Sequence, residues 1–220
     1  MKAEIGQKAP LLVVSEWVQG EPVNIDQLMG RVVLVEVFQV NCPGCFLYAL
    51  PQAIAWHRQY FGQGLTVLGL ATAFEDFDLN NLENLHRLVE KGEVAGETLR
   101  VLSERGDLVD GCLSYRIPFP LAMDRLVRRK GESSEQEVAN FIESRIPDFD
   151  RQSKPRQQQI RQAVLQSLQT LEYHAETFGR FDLKGTPSHI LIDKHGILRD
   201  YAFGSSPELE SRIQELLQEQ

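Results

Sequence analysis

Cys42 and Cys45 stand two residues apart in the segment VNCPGC, and that spacing has a definite chemistry. Of two thiols one helical turn apart, one attacks a disulfide to form a mixed disulfide and the other releases it. The attacking thiol has to be ionised near neutral pH, which an ordinary thiol of pKa ~8.5 is not. A helix N-terminus supplies the missing stabilisation through unpaired backbone N–H groups and a partial positive charge. In Cys-x-x-Cys motifs the pKa then falls to as little as ~3.5–7.5. Cys42 therefore reads as the attacking thiol, exposed at the tip, and Cys45, about one turn deeper, as the resolving thiol. Pro43 suits the first helical turn, where its missing N–H costs nothing and its φ is already helical. Gly44 has no side chain, so a partner backbone can approach the sulfurs closely.

Two other uses of the pair are weaker. Half a zinc site needs a second pair of Cys or His ligands at similar spacing. The only other cysteine is Cys112, and no pair of histidines is spaced to complete a tetrahedron. A structural disulfide across two residues removes almost no chain entropy. The favoured reading is redox chemistry without metal or cofactor, with Cys112 an unreactive, partly buried thiol.

Positioning these thiols requires a strand before them and a helix after them. VVLVEVF, residues 32–38, is a continuous apolar and β-branched run, suited to a strand covered on both faces. Residues 46–60 are compatible with a helix, and LTVLGLATAF after Gly64 reads as a second buried strand. Strand, helix and strand in this order make a right-handed unit with a parallel pair, whose active groups lie at the carboxyl ends of the strands. Glu75, Asp76 and Asp78 follow the second strand at that same end.

The rest of the chain divides by pattern. Residues 10–22 suggest two short strands or a hairpin, with QGEP as turn chemistry. A helix is expected over 80–91, and 92–114 is less defined. Prolines in IPFPLAM mark a strand at an edge or at its start. From Asp124 the composition turns basic and then polar, through Arg125, Arg128, Arg129, Lys130, Gly131, Ser133 and Ser134. Apolar residues from Ile160 to Phe178 then step by three or four, as one stripe of a long helix. HILID, KHG and ILRDYAFG form an antiparallel hairpin, and a closing helix fits 207–220.

The chain has 220 residues, 42% hydrophobic and 25% charged, with a formal net charge of −8. That acidity argues against a nucleic-acid surface. The opening MKAEIGQKAP lacks the apolar core of a signal peptide, and no run approaches the ~18–20 apolar residues of a membrane span. The expectation is a cytoplasmic chain with no membrane partner, where a dithiol is catalytic or redox-sensing more often than structural.

Three blocks resemble the thioredoxin-fold redoxins, in particular the TlpA-like thiol–disulfide oxidoreductases and the related peroxiredoxins: Gly-x-x-Ala-Pro at the start, VVLVEVFQVNCPGC, and GTPSHILIDKHGILRDYAFG. Together they cover the first ~75 and last ~40 residues. The resemblance implies an α/β, thioredoxin-like three-layer fold: a central mixed β-sheet, an N-terminal hairpin extension, and one domain over 1–220 with a helical insertion at about 125–165. It implies that Pro187 is cis against the active-site disulfide and that the Thr186 backbone meets the bound partner; an ordinary trans turn is the alternative. Glu36, six residues before Cys42, is similar to the buried acid of thioredoxins, which passes the resolving thiol's proton. The alternative is a side chain reaching solvent at a strand edge. The chain also departs from the family: Asn41 replaces an aromatic, Gln39 and Val40 are unusual, and Pro51 comes six rather than five residues after Cys45.

The expected function is disulfide exchange with a protein substrate, with a cellular thiol reductant recharging the dithiol and the insertion a candidate contact for a homodimer. A peroxidase with Cys42 peroxidatic and Cys45 resolving is the alternative. Against it, Val35 and Gln39 stand where peroxiredoxins carry Pro and Thr, and the peroxide-binding arginine has no assignable equivalent, although Arg125 is a candidate. A copper chaperone of the Sco type would need a wider cysteine spacing and a ligating His; His189 reads instead as a strand residue on one sheet face. His57, His86, His174 and His195 read as surface residues.

Overall fold

The computed structural model describes residues 2–129, 135–146, 148–204 and 206–219. Lys130, Gly131, Ser133 and Ser134 of the polar stretch, and Gln220 of the closing helix, lie outside the described residues. The N-terminal segment contributes one strand, β1 (Val14–Gln19), and not the expected hairpin. The reason lies in Asn24, which caps a short 3-10 turn, Ile25–Leu28, in a reciprocal capping box with Gln27. The same side chain bonds both the N–H and the carbonyl of Leu12, at 3.0 and 2.9 Å, so it takes the place of a returning strand.

VVLVEVF forms β2 (Val32–Phe38), with all seven residues buried. A helical segment then starts at Pro43, passes through a π turn (Cys45–Ala49) and continues as α1 (Leu50–Tyr60). β3 (Leu65–Ala71) follows and runs parallel to β2. Next come α2 (Leu82–Lys91), α3 (Gly96–Arg105) and a small antiparallel ribbon of β4 (Leu108–Val109) and β5 (Cys112–Leu113). Asn81 caps the start of α2 by accepting the Asn84 N–H at 2.9 Å.

β6 (Leu121–Asp124) completes the parallel set and takes β1 as its antiparallel neighbour. After β7 (Leu126–Arg128) come α4 (Glu135–Arg145), α5 (Lys154–Thr170), β8 (Tyr173–Ala175) and α6 (Glu176–Arg180). The chain closes with the hairpin β9 (Ser188–Ile192) and β10 (Leu198–Phe203) and with α7 (Leu209–Gln218). The six-stranded sheet has the order β1-β6-β3-β2-β9-β10, and β2 and β9 are antiparallel. It is a mixed sheet covered by helices, an α/β fold.

The period of two along β2 decides which core each side chain enters. Val32, Leu34 and Phe38 join Leu50 and Ile213 on one face; Val33, Val35 and Val37 join Phe178 and Phe181 on the other. Each such side chain contributes about 1.5–3 kcal/mol on burial. β2 is therefore pinned from both sides, and so are the residues that leave its carboxyl end.

Residues Val127–His174 make a second compact unit. Its core is Val138, Ile142, Phe149, Val164 and Leu168. The apolar stripe over 157–178 is not one helix. α5 stops at Thr170, Leu171 turns extended (φ −72°, ψ 110°), and the following residues are drawn into the two-stranded ribbon of β7 and β8. Arg129 N–H donates to the Glu172 carbonyl at 2.9 Å there, a competing use of the backbone that spacing alone does not reveal. Among the described residues no helix is long and apolar enough to cross a membrane.

Candidate active site

β2 delivers residues 39–45 at its carboxyl end. Cys42 is half-buried, Cys45 is completely buried, and the two are joined in a disulfide with their Cα atoms 5.4 Å apart. The Cys45 N–H donates to the Cys42 carbonyl at 3.0 Å, closing the first turn around Pro43 and Gly44. The Cys42 Sγ lies 3.5 Å from the carbonyl oxygen of Thr186. The Thr186–Pro187 peptide is cis. Gly44 faces Pro187: a Cβ there would lie 3.9 Å from Pro187 Cδ, an ordinary van der Waals contact. Cys42, Cys45, Pro43, Gly44, Thr186 and Pro187 thus come together from two distant parts of the sequence.

Glu36 does not reach solvent at a strand edge. β2 is interior to the sheet, and Glu36 is 3% exposed, between Gly69 on β3 and His189 on β9. Burial pushes its carboxyl well above the usual carboxylate range. It lines a cleft of about 400 Å³ together with Gly44, Tyr48, Trp56, Pro187 and His189. Among the described residues no group of three or more His, Cys, Asp or Glu side chains converges as a metal site.

Several residues that shape the site carry no motif. Gln39 is buried, accepts the Thr186 hydroxyl at 3.0 Å and donates to the Glu75 carbonyl at 3.4 Å. Asn41 is held three times: its N–H by Asn80 Oδ1 (2.8 Å), its Nδ2 by Asp76 Oδ2 (2.8 Å), and its Oδ1 by the Glu97 N–H (2.6 Å). The Thr98 hydroxyl donates to the Val40 carbonyl at 2.9 Å. The unusual Gln39 and Asn41 were the available signal, since polar side chains between a buried strand and a redox motif need partners. Burial, together with the charge of Asp76, raises the carboxyl of Glu75. Cys112 stands apart on β5, against the end of α2. Arg125 is paired with Glu176.

No protein-family model matches the chain, and no curated protein matches it. Solved structures do. A thiol-disulfide isomerase from Corynebacterium glutamicum is 28% identical, over 96% of this chain and 97% of its own, with a TM-score of 0.57. A thioredoxin-like superfamily protein is 23% identical, over 97% and 98%, with a TM-score of 0.56. The chain has a thioredoxin-like fold.

Within this thioredoxin-like frame the late proline has a local explanation. Leu50 N–H bonds to the Cys45 carbonyl, five residues back, which makes Cys45–Ala49 a π turn. A π turn takes up one residue more than an α turn. Pro51 therefore falls directly after the π turn, inside a helix continuous from Pro43, where the irregular turn before it accommodates the missing N–H.

Proposed function

We propose that the chain is a thiol–disulfide oxidoreductase acting on a disulfide of a protein partner. The observation that carries this reading is the unequal exposure of the two sulfurs: Cys42 reaches the surface beside the Thr186 carbonyl, and Cys45 is completely enclosed behind it. In the dithiol state the Cys42 thiolate attacks one sulfur of the substrate disulfide, whose other sulfur leaves as a thiolate. Cys45 then loses its proton, attacks Cys42 and expels the second substrate thiolate. The substrate gains two electrons and the Cys42–Cys45 disulfide forms, which a cellular thiol reductant returns to the dithiol. Pro43, Gly44 and the backbone of Thr186 and cis-Pro187 form the contact surface for the partner chain. In a reducing cytoplasm the net direction is substrate reduction, and the acidic net charge favours a protein partner over nucleic acid.

A Cys42→Ser variant is expected to lose reduction of a model protein disulfide, and Cys45→Ser to accumulate a mixed disulfide on Cys42 that names the partner. Wild-type turnover in Cys42→Ser would overturn the reading. The peroxidase alternative has less support: Val35 is core, Gln39 is bonded to Thr186, and Arg125 is engaged by Glu176. Stopped-flow peroxide consumption faster than that of free cysteine would restore it.

A further inference from the structure

The cleft lined by Gly44 and cis-Pro187 contains a second titratable group besides Glu36, on the face of β2 whose core includes Cys45. His189 is the direct cross-strand partner of Glu36 in the antiparallel pairing of β2 with β9. Directly opposed residues share a sheet face, with Cβ atoms about 4.5–5.5 Å apart. Both side chains line the same cleft with Gly44 and Pro187, and both are almost sealed, at 3% and 2% exposure. His189 also leads outward: its Nε2 lies 3.4 Å from Asp200 Oδ2, and that oxygen is 2.8 Å from Arg212 Nη1 on α7.

We propose that His189 is the proton partner of Glu36: the two side chains hold one proton between them and take up the proton that Cys45 releases when it resolves a mixed disulfide. This rests on the exchange reading above. The need for a partner follows from burial. A carboxyl enclosed in this way stays protonated, and its carbonyl oxygen accepts a hydrogen bond but is too weak a base to take the S–H proton, a step that needs a basic lone pair. His189 supplies one, because burial lowers its pKa and keeps the ring neutral, with the bond to Asp200 acting in the opposite sense. With one proton on two facing bases, the pair accepts a second at the moment of resolution. In that step the Cys45 S–H bond breaks and its proton goes to the pair. The Cys45 electron pair forms the bond to Cys42, and the older S–S bond leaves with its electrons on the substrate thiolate. Asp200, which keeps some contact with solvent, then gives the proton a route out, and the Arg212 guanidinium holds that carboxylate in place.

The charged and titratable groups around His189 are Glu36 from β2, Asp200 from β10, Arg212 from α7 with Glu208 beside it at 3.8 Å, and Tyr48, which lines the same cleft. The reaction of the reduced protein with 5,5′-dithiobis(2-nitrobenzoate) separates the two chemical steps. The first thionitrobenzoate released reports attack by Cys42; the second reports resolution by Cys45. His189→Asn is expected to slow the second phase about tenfold or more at pH 7 and to change its pH profile, with the first phase altered less than twofold. A second phase unchanged in rate and profile overturns the proposal. If His189→Asn does not fold, the His189 ring resonances of the reduced wild type and of Glu36→Gln are titrated instead. A midpoint that moves by about one pH unit between the two supports the coupling, and an unmoved midpoint overturns it. A wild type without any first phase would sink the exchange reading itself, whereas a normal first phase with an indifferent His189 sinks only this assignment.

Discussion

The Thr186 hydroxyl donates to Gln39 Oε1 at 3.0 Å, across the gap between the redox strand and the cis-proline loop. Gln39 is buried, and its other end reaches the Glu75 carbonyl, so one side chain ties three segments around Cys42. Gln39→Leu removes the partner of the half-buried Thr186 hydroxyl, while the Glu75 carbonyl keeps the Asn80 Nδ2 donor at 3.0 Å, and is expected to cost about 0.5–1.5 kcal/mol of stability. It is also expected to slow exchange with a protein disulfide more than with a small aromatic disulfide, because only the former lies along the Thr186 backbone. Urea melts and the two assays check this; equal slowing in both would remove the positioning role.

Asn41 owes its place to a glycine. Gly96 has φ +56°, and a Cβ there would lie 2.5 Å from Asn41 Oδ1 and 2.6 Å from Leu79 Cδ1. Gly96→Ala combines a left-handed backbone with these contacts and is expected to destabilise by about 1–3 kcal/mol. Gly62→Ala is the control: its Cβ meets nothing within 4 Å. That change is expected to be neutral or to stabilise by up to about 1 kcal/mol. Thermal melts of the two variants should separate in that order.

The stability of the oxidised form should depend on pH through Glu36 and His189 with opposite signs. Burial raises the Glu36 carboxyl, so the folded chain keeps a proton that the unfolded chain releases near ~4.3. Stability is therefore lost as pH rises from that value through the folded pKa, at no more than about 1.4 kcal/mol per pH unit. Glu36→Gln removes this loss, and its advantage over the wild type should grow with pH across the window. His189 is lowered by burial, so stability is lost as pH falls below the unfolded value of ~6.5. His189→Asn should flatten that acidic limb. Urea midpoints between pH 4 and 8 test both; curves parallel to the wild type would contradict the assignment.

Cys112 lies on the small β4–β5 ribbon, outside the group around Cys42. Cys112→Ser is expected to leave both phases of thionitrobenzoate release within twofold of the wild type. Loss of the second phase would make Cys112 a participant in resolution.

The chemistry and the sheet's central strand were legible because both are local. A Cys-x-x-Cys following a seven-residue apolar run specifies a buried strand, a turn and a helix start, and β2, β3 and the β9–β10 hairpin formed where the pattern put them. Periodicity was less reliable where two backbones competed for the same residues. The stripe over 157–178 keeps its spacing through Glu172 and Tyr173 even though the chain there leaves α5 for a ribbon. The N-terminal turn residues likewise suited a hairpin, and Asn24 closed the loop with its side chain instead.

Residue type and near-neighbour spacing are enough to specify the pair of thiols and the strand that carries them. Only the tertiary structure decided that Cys42 faces Thr186, that Gln39 and Asn41 are clamps, and that His189 lies opposite Glu36. Those relations depend on strand order, register and loop packing, which bring together residues 56 to 147 positions apart and more, and no local propensity encodes which segment will be the neighbour.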